Sequence, residues 1–176
     1  NAKNAVDYPA CFKLKEKFLR EIYVLCGEAV LSSRSFARFF KQSQEWLVPY
    51  AVFCTLRDRH TADKNRWGAM ATYDVIRTEQ YAANHSAKVG YYYFVQYLLD
   101  RQLSDVRDYA HRRGVTLKGD IPIGVAPSSV DVWCAPELYN LSASAGAPPD
   151  AFAEEGQNWG FPTYNWDKMS EDGYAW

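Results

Sequence analysis

The chain has 176 residues, of which 48% are hydrophobic and 23% are charged, and its formal net charge is −1. This length suffices for one domain with a core of its own, but a complete (β/α)8 barrel takes at least about 200 residues. The near-neutral charge gives no reason to expect nucleic acid as a partner. No apolar run of about 18 residues predicts a membrane span, and the first residues lack the pattern of a signal peptide.

The four cysteines are scattered along the chain and lie near no histidine in the sequence, which argues against a zinc site. Such cysteines are typical of buried thiols in a reducing compartment, so a cytoplasmic protein is expected. Glycine-rich nucleotide-binding motifs and metalloprotease motifs are absent from the sequence. We therefore expect neither a cofactor nor a metal.

The N-terminal part predicts three helices. The first begins near Pro9, which suits a first helical turn, and ends at Gly27, because glycine favours a left-handed stop. The second begins with a serine cap at Ser33 or Ser35 and is broken by Pro49, because proline lacks the N–H of a helix interior. A third helix is expected directly after that proline, followed by a polar loop.

Two further helices are predicted at about 73–83 and over 86–113, where apolar residues recur at steps of three and four. Gly114 supplies the stop of the second. Residues 115–125 are rich in β-branched residues and predict a buried strand, so helix and strand form half of a β/α repeat. A capping pattern at Ser128 predicts a short helix over Val130–Cys134.

Charge is distributed unevenly, with a balance of +7 over residues 1–118 and −8 over residues 119–176. The second stretch also holds most of the glycines, prolines and tryptophans. We therefore predict an α/β, helix-rich fold with two domains, a helical one at 1–113 and a β/α segment with ordered loops at 114–176.

Asp120 is the strongest single candidate for a functional residue. It lies at the carboxyl end of the predicted strand, where β/α folds bind ligands and place catalytic groups. The alternatives are a helix or turn cap, or a partner for a buried arginine.

The acidic, aromatic loops hold the other candidates. Pro148 and Pro149 restrict the backbone before Asp150, so its carboxylate is expected to be aimed. Residues 157–166 combine amide side chains with aromatic rings, a mixture that matches the hydroxyls and C–H faces of a sugar. The alternative is a loop that covers the core.

Four ordered blocks resemble the 4-α-glucanotransferases of glycoside hydrolase family 77, the amylomaltases and disproportionating enzymes. These blocks are Lys118–Val125, Asp131–Trp133 with Pro136–Leu138, Gly146–Asp150 and Gly156–Trp166. The resemblance implies a (β/α)8 TIM barrel with helical insertions, of which this chain would be a segment with a helical subdomain. It also implies transfer of α-1,4-glucan segments between maltooligosaccharides with retention, which requires a carboxylate nucleophile and an acid/base carboxyl group.

The resemblance assigns roles to particular positions. Asp120 matches a strand-end aspartate that supports the surroundings of the nucleophile. The remaining matches line the substrate-binding side. A loop over the acceptor subsites is matched by Pro148, Pro149, Asp150 and Phe152, and residues beside bound glucose rings are matched by Gln157 and Trp159.

The family's nucleophile and acid/base have no counterpart in this chain, so we expect an internal segment of a larger enzyme that is inactive alone and whose partner is the remainder of the barrel. Residues 126–129 and Cys134 depart from the family pattern. Faces that normally meet missing strands are consistent with dimerisation of the segment or with a rearranged fold. The alternative function is a non-catalytic helical module that binds glycans or a protein partner.

Overall fold

The computed structural model describes residues 5–120 and 124–176. Within these ranges the chain forms six α-helices, two 3-10 helices and four strands of two residues each. The α-helices are α1 (Tyr8–Leu31), α2 (Arg34–His60), α3 (Val75–Asn84), α4 (Ser86–Arg112), α5 (Val130–Cys134) and α6 (Trp166–Ser170). The 3-10 helices are Lys64–Ala71 and Pro136–Leu138, and the strands are β1 (Tyr139–Asn140), β2 (Gly146–Ala147), β3 (Gln157–Asn158) and β4 (Thr163–Tyr164).

Contacts divide the chain into two compact units. The first unit contains residues up to Thr55 together with Glu79–Leu117, and the second contains Leu56–Thr78 together with Lys118–Trp176. The units therefore differ from a simple division at residue 113, because residues 56–78 pack with the C-terminal part. The helical domain at 1–113 and the β/α segment at 114–176 remain a prediction.

The core of the first unit is aromatic. Phe36, Phe39 and Leu47 of α2 form a buried cluster with Tyr97 of α4. The Phe36 and Tyr97 rings meet edge to face at 5.6 Å, and the Tyr97 hydroxyl donates a hydrogen bond to Ser35 Oγ at 2.8 Å. Burial of these rings joins α2 to α4.

The predicted stop at Gly27 is wrong, because α1 continues to Leu31. Gly27 is buried inside the helix, and a Cβ at this position would overlap the ring of Tyr23. The same tyrosine donates a hydrogen bond to the backbone oxygen of Ala87 at 3.1 Å. Glycine at position 27 therefore makes room for a packing contact and does not end the helix.

The predicted break at Pro49 is also wrong, because α2 runs through it without interruption. Leu47, Ala51 and Val52 on either side are fully buried. A proline inside a helix costs about 3 kcal/mol, whereas the burial of Leu47 and of Val52 contributes roughly 1.5–3 kcal/mol each. The serine cap is confirmed at Ser33, whose Oγ accepts a hydrogen bond from the Phe36 N–H at 3.2 Å.

Several predicted elements agree with the structure. Helices α3 and α4 confirm the two helices expected at about 73–83 and 86–113. Gly114 follows α4 with a φ of 71°, as a left-handed stop requires. Helix α5 has its predicted bounds, but Ser129, not Ser128, caps it by accepting a hydrogen bond from the Val132 N–H. The expected loop after α2 contains the 3-10 helix Lys64–Ala71.

The buried strand predicted at 115–125 is wrong for residues 115–120, which are exposed and irregular, and residues 124 and 125 are not in a strand either. Residues 121–123, including the Ile-Pro-Ile of the prediction, lie outside the described residues. A strand forms only when a neighbouring strand satisfies its backbone groups. Within the described residues, β1 pairs only with β4 and β2 only with β3.

Trp133 anchors the second unit. Its side chain is 3% exposed, and its indole N–H donates a hydrogen bond to the Met70 oxygen at 3.0 Å. The rings of Trp67 and Tyr73 contact it edge to face, with centroids 6.0 and 5.1 Å away. Helix α5 is thereby fixed to the 3-10 helix Lys64–Ala71.

The helices of the described part of the chain do not include one that is long and apolar enough to cross a membrane.

Candidate functional site

Six predicted binding residues lie in one hairpin of the second unit. Strands β2 and β3 pair antiparallel, with Gly146 opposite Asn158 and Ala147 opposite Gln157. The pairing continues beyond the strands, because Trp159 N donates to Ala145 O at 3.0 Å and Ala145 N donates to Phe161 O at 2.9 Å. The hairpin brings together, all with exposed side chains, Pro148, Pro149, Asp150, Phe152, Gln157 and Trp159.

Asp150 holds the tip of the hairpin in shape. One carboxylate oxygen accepts hydrogen bonds from the N–H groups of Phe152 and Ala153, both at 2.8 Å. The backbone N–H of Asp150 donates in turn to Ala153 O at 3.1 Å. The fixed orientation of the Asp150 carboxylate expected from the sequence is therefore confirmed, and its partners are N–H groups of its own loop. The turn presents the Phe152 ring to solvent with 98% of its surface exposed.

Close backbone approach explains the glycine at the end of the loop. Gly156 has a φ of 73°, and a Cβ there would come within 2.6 Å of the Ala147 oxygen. A left-handed conformation and a near contact with backbone both exclude larger residues. Gly156 thus allows the chain to return close beside β2.

Gln157 and Trp159 form a polar and aromatic pair at the base of the hairpin. The indole N–H of Trp159 donates a hydrogen bond to Gln157 Oε1 at 2.9 Å. The indole is 45% exposed and packs against the ring of Phe161, with centroids 5.8 Å apart and the planes inclined by 34°. A half-exposed ring with one edge fixed, next to an amide with free N–H groups, is suited to a pyranose.

Sequence reasoning did not single out Phe161 as a site residue. A Cβ at Gly124 would overlap the Phe161 ring, so this ring lies between Trp159 and Gly124. In the sequence, two aromatic residues on either side of a glycine, Trp159 and Phe161, were the pattern that pointed to this contact. In the structure, Gly160 has a φ of 73° and turns the backbone there.

A second aromatic cluster lies beside the β1–β4 pair. The Tyr164 ring contacts those of Tyr139, Trp166 and Trp176, with centroids 5.8, 5.1 and 5.3 Å away. Burial raises the pKa of the Tyr139 hydroxyl above its usual range. Only the fold revealed the contacts of Tyr139 and Trp176, because they join residues far apart in the sequence.

Asp120 is exposed and lies at the end of the irregular stretch 115–120. Its proposed support of a catalytic centre remains a prediction. In the described ranges, no group of three His, Cys, Asp or Glu side chains is arranged to hold a metal ion.

Known proteins resemble the whole chain. A family model described as 4-alpha-glucanotransferase matches residues 1–176. A rice (Oryza sativa subsp. japonica) protein named 4-alpha-glucanotransferase DPE2 is 43% identical over 178 residues, which cover 99% of this chain and 19% of the rice protein. A 4-alpha-glucanotransferase of Chlamydia muridarum is 34% identical over 173 residues, covering 97% of this chain and 33% of that protein.

Two solved structures have a similar fold. An amylomaltase from Streptococcus agalactiae in complex with acarbose matches with a TM-score of 0.83 and 28% identity, covering 97% of this chain and 36% of that one. An amylomaltase from Corynebacterium glutamicum matches with a TM-score of 0.65 and 26% identity, covering 91% and 21%. The chain spans about a fifth of the length of the rice protein and a third of the length of the Chlamydia muridarum protein. Its full-length match to the family model shows that the chain belongs to the 4-alpha-glucanotransferase family.

Proposed function

We propose that this chain is a segment of an enzyme that transfers α-1,4-glucan units between maltooligosaccharides with retention, and that it forms the acceptor side of the active site. The hairpin 146–161 carries this proposal, because it combines a stiff turn, an exposed phenyl ring and a fixed indole–amide pair. The amylomaltase of Streptococcus agalactiae was solved with acarbose, which supports an oligosaccharide as the ligand.

An acceptor hairpin of this kind favours transfer over hydrolysis. A retaining enzyme forms a covalent glycosyl intermediate, and the product depends on whether water or a sugar attacks it. Trp159 and Phe152 offer apolar area for sugar faces, and Gln157 offers amide hydrogen bonds for hydroxyls. A bound acceptor would displace water from the attacking position.

The bond-breaking carboxyl groups lie elsewhere in the proposed parent enzyme. We assign Asp120 a supporting role near the nucleophile and expect the isolated chain to show no turnover. The proposed architecture is a segment of a (β/α)8 barrel with a helical subdomain, in which the irregular residues 115–120 pair as a strand once neighbouring strands are present.

The remainder of the barrel is the expected partner of this segment. Helix α1 exposes large apolar side chains that a soluble monomer would normally cover; Phe12, Leu14, Phe18, Val24 and Leu25 are each at least 60% exposed. In the parent enzyme we expect other parts of the chain to cover this face. In the isolated segment the same face favours self-association.

We propose that the reaction needs no cofactor and that the enzyme is cytoplasmic, because four scattered cysteines are typical of a reducing compartment. The alternative, a helical glycan-binding module without an enzymatic parent, loses support because the family match extends over the whole chain.

Disproportionation by the full-length gene product tests the proposal. We expect maltotriose to yield glucose and longer oligosaccharides, detected by chromatography, with the α-configuration retained by NMR. A parent protein that releases no glucose and forms no longer glucan would refute the transferase.

The same assay tests the acceptor side through Trp159→Ala. We expect the variant to lose transfer to added glucose by roughly 2- to 10-fold, because ring stacking contributes about 0.5–1.5 kcal/mol beyond area burial. Hydrolysis of the donor should fall less. An equal loss in hydrolysis and in transfer would contradict the acceptor-side placement of this hairpin.

A further inference from the structure

A cavity of about 360 Å³ lies in the second unit, apart from the acceptor hairpin. None of the predicted binding residues lines it. Its walls come from the 3-10 helix Lys64–Ala71, the two residues after it, α5, and the start of the next 3-10 helix, and the groups that matter for recognition are Lys64, Thr72, Tyr73, Trp133, Cys134 and Glu137.

The apolar wall of the cavity is rigid. Trp133 is fixed by its hydrogen bond to Met70 O and by the edge-to-face contact with Tyr73. Trp133 is 3% exposed and supports Tyr73, whose half-buried ring is the aromatic surface that a ligand can contact. A side chain that is already ordered loses little entropy when a ligand packs against it. This wall therefore suits a flat, partly apolar ligand face.

The polar groups of the cavity have opposite charges and are not paired. Lys64 is half-buried and Glu137 is exposed at the rim. Neither side chain has a hydrogen bond or an ion pair to any residue of the described part of the chain. Burial lowers the pKa of the Lys64 ammonium, as expected for a cation without a counterion. One strong donor and one strong acceptor thus face the same space.

The thiol of Cys134 also lines the cavity, and its properties favour a binding site over a catalytic one. Burial and the nearby Asp131 carboxylate raise the pKa of the Cys134 thiol to about 12, so this sulfur stays neutral at physiological pH. A neutral, shielded thiol is not a nucleophile. Two further charges lie near the cavity, because Asp131 acts on Cys134 and Lys168 interacts electrostatically with Glu137. The positive and negative charges therefore balance, which disfavours an anion or a cation as the ligand.

We propose that this cavity is a second carbohydrate-binding site, which takes one terminal hexopyranose of a maltooligosaccharide. The Lys64 ammonium donates to one sugar hydroxyl, the Glu137 carboxylate accepts from another, and one face of the ring packs on Tyr73, beside the buried Trp133. The volume of about 360 Å³ suits a small ligand, since small-molecule sites have volumes of roughly 300–1,000 Å³. The choice of an α-glucan rests on the proposed function, but the cavity and its unpaired charges do not.

Indole NMR signals separate this cavity from the acceptor hairpin. In the chain labelled with ¹⁵N-tryptophan, the Trp133 indole reports the cavity, the Trp159 indole reports the hairpin, and the Trp67 indole, which donates to Thr61 O at 3.1 Å, reports an intact fold. We expect titration with maltose to shift the Trp133 signal in a saturable manner.

Two nearly isosteric variants and one control complete the test. Lys64→Met and Glu137→Gln should each weaken the maltose affinity read at Trp133 roughly tenfold, because a hydrogen bond to a charged group contributes about 1.5–3 kcal/mol. Lys88→Met, which removes an exposed lysine of the first unit, should leave that affinity unchanged. The maltose response of Trp159 should be the same in all three variants.

Three outcomes would overturn the proposal. They are a Trp133 signal that does not respond to maltose, an affinity that neither cavity variant changes, and a response to inorganic phosphate as strong as that to maltose. Failure of the proposed function looks different, since the parent protein would then lack transferase activity while Trp133 still responded to the sugar.

Discussion

At the scale of single residues, the hairpin 146–161 is held by short-range hydrogen bonds. Asp150 accepts from residues two and three positions ahead, and Gln157 accepts from the residue two positions ahead. Contacts of this range depend on local backbone geometry. For this reason the aimed carboxylate of Asp150 was predictable from the prolines before it.

Asp150→Ala should loosen the hairpin tip. Without the carboxylate, the N–H groups of Phe152 and Ala153 lose their acceptor, and we expect their amide hydrogen exchange to accelerate by roughly 5- to 10-fold, as the loss of about 1 kcal/mol implies. Asp150→Asn keeps an acceptor oxygen at the same position and is the matched control. Unchanged exchange in Asp150→Ala would show that the prolines alone define the turn.

At the scale of elements, the packing of α1 on α4 depends on one tyrosine and small residues around it. Tyr23 Oη lies 2.5 Å from the position that a Cβ of Gly90 would occupy, and Leu31 Cδ1 lies 3.1 Å from it. The helices approach this closely only because position 90 has no side chain.

Gly90→Ala should therefore destabilise the first unit, although alanine favours helix. Overpacking costs roughly 1–3 kcal/mol, while the gain in helix propensity is about 1 kcal/mol. We expect a net loss in the free energy of unfolding, measured by urea denaturation. Because the nearest atom is the Tyr23 hydroxyl, Tyr23→Phe should restore part of that loss in the double variant.

Gly119→Ala is the matched control for this experiment, because nothing lies within 4 Å of the added Cβ. Its effect should stay within about 0.5 kcal/mol, as for other exposed positions. A double variant that is as unstable as the sum of the single variants would contradict the overlap with the Tyr23 hydroxyl.

At the scale of the whole chain, both units bury groups that resist deprotonation. Burial raises the pKa of Tyr93 in the first unit to about 12, and the Cys134 thiol of the second unit is raised to about 12. Unfolded tyrosine and cysteine lose their protons at about pH 10 and 8.5. Between those values and about pH 12, the folded chain holds protons that the unfolded chain has released.

Stability should accordingly fall with rising pH. The stabilisation from these groups is complete below about pH 8.5 and is lost as the pH rises through the raised pKa values. In that range the unfolded chain has released protons that the folded chain still holds, so rising pH favours the unfolded state. Urea denaturation at about pH 8 and about pH 11 should show a lower free energy of unfolding at the higher pH. Tyr93→Phe should reduce this difference, and equal stability at both pH values would contradict the shifts.

The sequence by itself determined the family, the helix-rich class, the approximate limits of α3 and α4 and the composition of the hairpin 146–161. These features depend on periodicity, caps and turns within a few residues. The tertiary structure alone decided that Gly27 packs against Tyr23, that Pro49 lies inside α2, and that Lys64 and Glu137 face one cavity. The Tyr23 ring that covers Gly27 is held by a hydrogen bond to Ala87, 64 residues away, and Lys64 and Glu137 come from separate segments of the chain. At Pro49 the burial of Leu47, Ala51 and Val52 outweighs the local preference. The strand expected at 115–125 is absent at residues 115–120, 124 and 125, because their backbone has no neighbouring strand within the described chain to pair with.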